Sequence, residues 1–208
     1  MDAGVSLSMG GWELDASAGV RAADAIDRRL HDVFAGHSLE SLTQDEGPIR
    51  TRVPDFRVHA ISPGPRHRGR WTYVTTGCWS AVNHHGHGHE FILTTSEFTP
   101  RAVELLAITA NFHAGPPDQR LGLGHTTNLG EAWLPGSACD YTLLSLPYPW
   151  LPDLDVVEWE GGHAQLLWVL PITRQERDFK REHGLEALEQ RFEAAGLDYT
   201  DPARASVV

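Results

Sequence analysis

The densest run of chemically capable side chains is His84-His85-Gly86-His87-Gly88-His89-Glu90. Imidazoles at this density can ligate zinc, copper or nickel, and Glu90 could add an oxygen. On an extended segment, alternation would bring His85, His87 and His89 to one side. The spacing matches no zinc-protease or zinc-finger pattern, and the interleaved glycines offer no rigid support for ligands. The plainer reading is a flexible, polar hairpin tip without metal. A metal-binding protein or metal-dependent hydrolase using His84, His85, His87 and His89 stands as the alternative.

Nucleophilic catalysis would need a thiol, a base and an orienting group. Cys78 or Cys139 could supply the thiol, and His125 or His163 the base. No protease-like signature surrounds either cysteine, and a chain with 12 histidines offers such pairs by chance. Gly122-Leu123-Gly124 lacks the lysine and helix start of a phosphate loop. Glu158 and Glu160 are two apart on an expected strand and would simply be solvated. No catalytic residue is assigned, and no cofactor. The seven tryptophans read as core. Trp150, within Tyr148-Pro149-Trp150-Leu151-Pro152, is the exception, expected on an exposed loop.

The elements that must position these groups follow from periodicity. Trp71 to Gly77 and Phe91 to Ser96 are aromatic and β-branched, which predicts an antiparallel pair in the middle of a sheet. Ala18 to Phe34 carries a helical stripe of Ile26, Leu30, Val33 and Phe34, with Gly36 as its stop. Ser38 to Pro54 reads as polar and turn-rich. Phe56 to Ile61 reads as a strand, followed by a solvated basic loop, Arg66 to Arg70. Thr99-Pro100 starts a helix that ends at Gly115-Pro116-Pro117. Residues 122–130 read as a loop or short strand, and Tyr141 to Leu146 as a buried strand. Val156 to Trp159 and Ala164 to Leu170 form a hairpin through a Gly161-Gly162 turn. Thr173 and Glu176 have capping-box spacing for a helix to about His183, and a second helix follows Gly184. The pattern predicts an α+β fold with residues 1–17 as a tail and 18–208 as one domain.

Composition narrows the function. The chain has 208 residues and a formal charge of −11. That acidity argues against nucleic acid and anionic membranes, which need a basic footprint. No apolar run approaches the roughly 20 residues of a membrane span. The start of the chain has no secretory pattern, which predicts a soluble cytoplasmic protein.

Taken in order, Trp71-Thr72-Tyr73-Val74-Thr75-Thr76-Gly77, Phe91-Ile92-Leu93, Leu105-Leu106-Ala107, the segment Leu143 to Pro149, Leu170-Pro171-Ile172-Thr173-x-x-Glu176 and Gly184-Leu185-Glu186-Ala187-Leu188 resemble the Suppressor of fused family. The resemblance covers roughly Ala23 to Ala205. It implies a mixed, mainly antiparallel sheet flanked by helices, and no enzymatic activity. Animal relatives restrain transcription factors of Hedgehog signalling by gripping an extended peptide between two domains. This chain resembles the short bacterial kind, for which the family implies an immunity role beside secreted toxins. The two-domain clamp is not expected here. Peptide-contacting positions do not map onto Pro117 to Asn128, and none is carried over. The resulting expectation is a protein-binding module, with an edge strand or a groove near His125 and Trp150 for a partner such as a basic toxin domain.

Overall fold

The computed structural model describes residues 16–44, 47–65 and 68–208. Trp12, Leu14 and most of the expected tail lie outside the described residues, as do Arg66 and His67. Helix α1 (Ala16–Val33) buries Ile26, Leu30 and Val33 along one stripe and leaves Arg28 and Arg29 in water. Gly36, at φ 86°, turns the chain back. The polar stretch that reads as turns instead holds strand β1 (Leu39–Thr43) and the single turn α2 (Ile49–Arg52). β1 is an edge strand with no buried residue, so its alternation carries no apolar signal.

Strand β2 (Arg57–Ile61) pairs antiparallel with β1 and with β3 (Trp71–Thr76). After the short helix α3 (Cys78–Ala81) come β4 (Asn83–His84) and β5 (His87–Thr95). β3 and β5 lie antiparallel in mid-sheet, with Tyr73 opposite Leu93 and Val74 opposite Ile92. Helix α4 (Pro100–His113) starts where Thr99 Oγ1 accepts the Arg101 N–H. A 3₁₀ turn at Pro117–Gln119 precedes β6 (Thr126–Asn128) and β7 (Cys139–Ser145). A second 3₁₀ turn, Tyr148–Trp150, precedes β8 (Val156–Trp159) and β9 (Gly162–Thr173). The β8–β9 turn residues are Glu160 and Gly161, one position earlier than Gly161-Gly162, because Gly162 already pairs with Trp159. Helices α5 (Arg174–His183) and α6 (Leu185–Ala195) follow, α5 with the full Thr173–Glu176 capping box.

The sheet order is β1-β2-β3-β5-β9-β7-β6, with β4 on β5 and β8 on β9. Among the described residues only β5–β9 is parallel; the other pairings are antiparallel. The sheet is buried on both faces. Tyr73, Phe91, Leu93, Leu167 and Val169 point to α4 with Leu105, Leu106 and Ala110. Val74, Ile92, Leu166, Trp168 and Leu170 point to α1 and to Leu188 and Phe192 of α6. This two-sided burial explains why β3, β5 and β9 read as nearly continuous apolar runs. Each fully buried large side chain contributes about 1.5–3 kcal/mol. The Tyr73 hydroxyl accepts the Thr99 N–H, tying the mid-sheet to the start of α4.

Candidate partner-binding groove

The histidine run is broken by its own turn. His84 pairs with His87, leaving His85 and Gly86 as a two-residue loop at φ 53° and 83°. Two successive positive φ values make the tight hairpin turn that matches strand twist. The extended alternation therefore does not pass through His85. The imidazoles form separate contacts: His84 with His85, His87 with His163 of the neighbouring strand, and His89 with His113 of α4. Among the described residues, no three His, Cys, Asp or Glu side chains converge to hold a metal ion.

Neither cysteine is placed as a nucleophile. Cys78 is buried, its Sγ lies 3.6 Å from Thr75 Oγ1, and burial together with the Glu90 charge pushes the thiol up. Burial also pushes up Cys139. Glu90 is sealed in the interior, accepting from Thr75 Oγ1 at 2.6 Å and the Trp79 N–H at 2.9 Å, so it anchors α3 to the sheet. His125 is exposed before β6, with its carbonyl on the Leu144 N–H, and His163 sits against His87. Glu158 and Glu160 are solvated.

Trp150 requires a correction. It is 4% exposed and packs edge-on against Trp168, with ring centroids 6.0 Å apart. The flanking prolines suggest an exposed loop, but the 3₁₀ turn rotates Trp150 inward and its neighbours outward. Tyr148 is 49% and Leu151 38% exposed. Trp150 belongs to the core behind Trp168 rather than to a surface shared with His125.

In front of Trp168 lies a cleft of about 650 Å³. Its floor is Trp168, Leu170 and Phe192, and Tyr148 and Tyr199 flank it. Register puts Ser145 of β7 beside Trp168 of β9. The Ser145 hydroxyl donates to Glu189 Oε1 at 2.6 Å, and the Tyr148 hydroxyl donates to Oε2 at 3.0 Å. Burial and the Glu189 charge hold the Tyr148 phenol up at about 12, so it remains a donor at neutral pH. Glu186 and Glu193 lie three residues before and four after Glu189, on the same side of α6. Leu188 and Phe192, on the adjoining face of the helix, reach into the core, with Phe192 at the cleft floor. Tyr199 stands edge-on to Trp168 at 4.7 Å and is covered by Arg70, whose guanidinium lies 4.8 Å from its ring and bonds its hydroxyl. This groove, with its Glu-x-x-Glu-x-x-x-Glu rim, is missed by sequence reasoning. The glutamate spacing on one helix was the available signal.

The family profile for Suppressor of fused protein matches residues 53–205. The chain belongs to the Suppressor of fused family. A crystal structure of a Suppressor of fused homologue from Neisseria gonorrhoeae FA 1090 is similar over 91% of this chain and 98% of that one, at 33% identity and a TM-score of 0.77. The Sufu–Fu complex structure aligns at 12% identity and a TM-score of 0.70, covering 90% of this chain and 92% of that one. Drosophila Suppressor of Fused aligns at 13% identity and 0.71, covering 90% of this chain and 51% of that one. At those identities the last two support the fold alone. No curated protein matches by sequence. The α+β architecture with a mainly antiparallel mixed sheet is that of the family. Suppressor of fused proteins are regulatory binding proteins. Among the described residues, no helix is long and apolar enough to cross a membrane.

Proposed function

We propose that the chain is a non-enzymatic, cytoplasmic protein-binding module that sequesters or inhibits a protein partner. The partner in this reading is a basic toxin domain, with the chain as its immunity protein. Residues 18–208 form the binding domain and 1–17 a tail. The observation that carries the reading is the groove: an aromatic floor beside exposed Tyr148 and Leu151, edged by three glutamates and, among the described residues, lined by no Lys or Arg. Apolar contact supplies affinity in such a site, and the charge on its rim steers an oppositely charged partner. Family membership supports the same class of function.

The test is recovery of the tag-free protein from its own cells, with mass spectrometry and metal analysis on one sample. A stoichiometric basic partner, whose toxicity co-expression of this chain relieves, is the expected result. Turnover of a substrate by the purified chain would overturn the non-enzymatic reading. One equivalent of bound metal would return attention to His84, His85, His87 and His89.

A further inference from the structure

Resting on the binding-module reading, we propose that Glu189 and Glu193 form a subsite for one arginine side chain presented by the partner, stacked on Tyr148. Three independent features converge on a guanidinium. The first is charge: Glu186, Glu189 and Glu193 border the cleft, its lining among the described residues holds no Lys or Arg, and the nearby Arg70 is engaged with Tyr199 on the far flank. The second is orientation. Each Glu189 oxygen takes one hydroxyl donor, from Ser145 and Tyr148, which fixes the plane of the carboxylate. Each oxygen retains a second lone pair, so two parallel N–H donors can still be accepted. A planar guanidinium supplies such a pair and an ammonium does not.

The third feature is the ring. Tyr148 is half exposed and its hydroxyl holds Glu189, so a cation paired to the carboxylate lies next to an uncovered aromatic ring. The fold already uses this arrangement internally. Arg177 lies 4.4 Å from the Tyr141 ring and donates to its hydroxyl at 3.1 Å, while Arg174 pairs with Asp140 beside the same ring. Arg70 covers Tyr199 on the far flank of the cleft. Tyr148 has no such internal arginine among the contacts of the described residues, and its position beside a held carboxylate makes it the ring left for an incoming one.

The probe is acetyl-Gly-Arg-Gly-amide, titrated into the isotopically labelled full chain and followed by NMR, beside citrulline and lysine versions. Citrulline keeps the shape and removes the charge. The expected result is saturable shifts confined to residues 145–149 and 186–193 with arginine, at least tenfold weaker binding with citrulline, and weaker binding with lysine. Glu189→Gln/Glu193→Gln should lower arginine affinity at least tenfold while its amide dispersion stays native. Equal shifts from arginine and citrulline, or arginine shifts elsewhere on the surface, overturn the subsite. The citrulline comparison uses the unaltered chain, so it decides even if the variant misfolds. A partner complex whose affinity is unchanged in the double variant also overturns the subsite and leaves the binding-module reading standing. The loss of that reading shows separately, as the absence of any partner.

Discussion

Glu176 and Arg204 form a bidentate ion pair closed off from water, at 2.7 and 2.8 Å. Glu176 also accepts the N–H groups of Thr173 and Val207, so one carboxylate caps α5 and fastens residues 204–207 to it. Arg204 adds a bond to the Pro171 carbonyl at 2.9 Å. Removing one member of such a pair leaves a buried charge without its partner. Arg204→Met should therefore cost about 3–5 kcal/mol. The double variant Glu176→Gln/Arg204→Met should recover part of that loss. Urea unfolding of the two variants beside the parent checks both statements.

His113 should make the fold sensitive to mild acid. Burial, then the charges of His89, Arg120 and His125, lowers its pKa from 6.5 to about 4. Its Nδ1 accepts the Leu121 N–H at 2.9 Å, which favours the neutral ring. The unfolded chain binds the proton near 6.5 and the folded chain only near 4, so this contribution is whole above pH 6.5. It is lost progressively as pH falls toward 4, on the order of 3 kcal/mol in total. His113→Gln should flatten the stability profile between those limits. An unchanged slope in that window would show that other groups set the acid sensitivity.

The two thiols should be silent in the native state. Cys78 and Cys139 are buried with raised pKa values, and a thiolate is the reactive form. Disulfide-exchange reagents at pH 8 should titrate fewer than one thiol per chain in buffer and two in denaturant.

Gly77 is held by the backbone of another segment. It sits at φ 105° between β3 and α3, where an added Cβ would meet the Asp55 carbonyl oxygen at 2.8 Å. Gly77→Ala combines a disfavoured conformation with a clash against backbone, and should cost about 2–4 kcal/mol. Gly47→Ala, which meets nothing within 4 Å but has φ 88°, isolates the conformational part. Thermal melts of the two variants should differ, with Gly77→Ala the lower.

The sequence made local features legible and long-range ones not. The Thr99-Pro100 start and the Thr173–Glu176 box are set by adjacent residues, and both form as spacing predicts. β3 and β5 show their central position because burial on both faces leaves no polar alternation to misread. β1 fails for the opposite reason: it buries nothing. The prolines around Trp150 predict an exposed loop, whereas its orientation is decided by Trp168 on a distant strand. The groove depends on Ser145, Tyr148 and Glu189 meeting across more than forty positions, as their bonds record. Single-helix glutamate spacing could suggest the rim; the aromatic floor needs the folded register of β7 on β9.

The position of β9 makes the sheet depend on the last third of the chain. Apart from residues 162–173, β1 to β5 make one ladder group and β6 with β7 another, and among the described residues no strand pairing joins the two. β5 ends at Thr95 and its parallel partner begins at Gly162, so at about 5–20 residues per second the two strands are synthesised seconds apart. Insertion of β9 closes the edge of β5, closes the edge of β7 and gives β8 its partner in one event. A chain stopped before Gly162 would lack the strand shared by both groups and would leave their edges open to pairing with other chains.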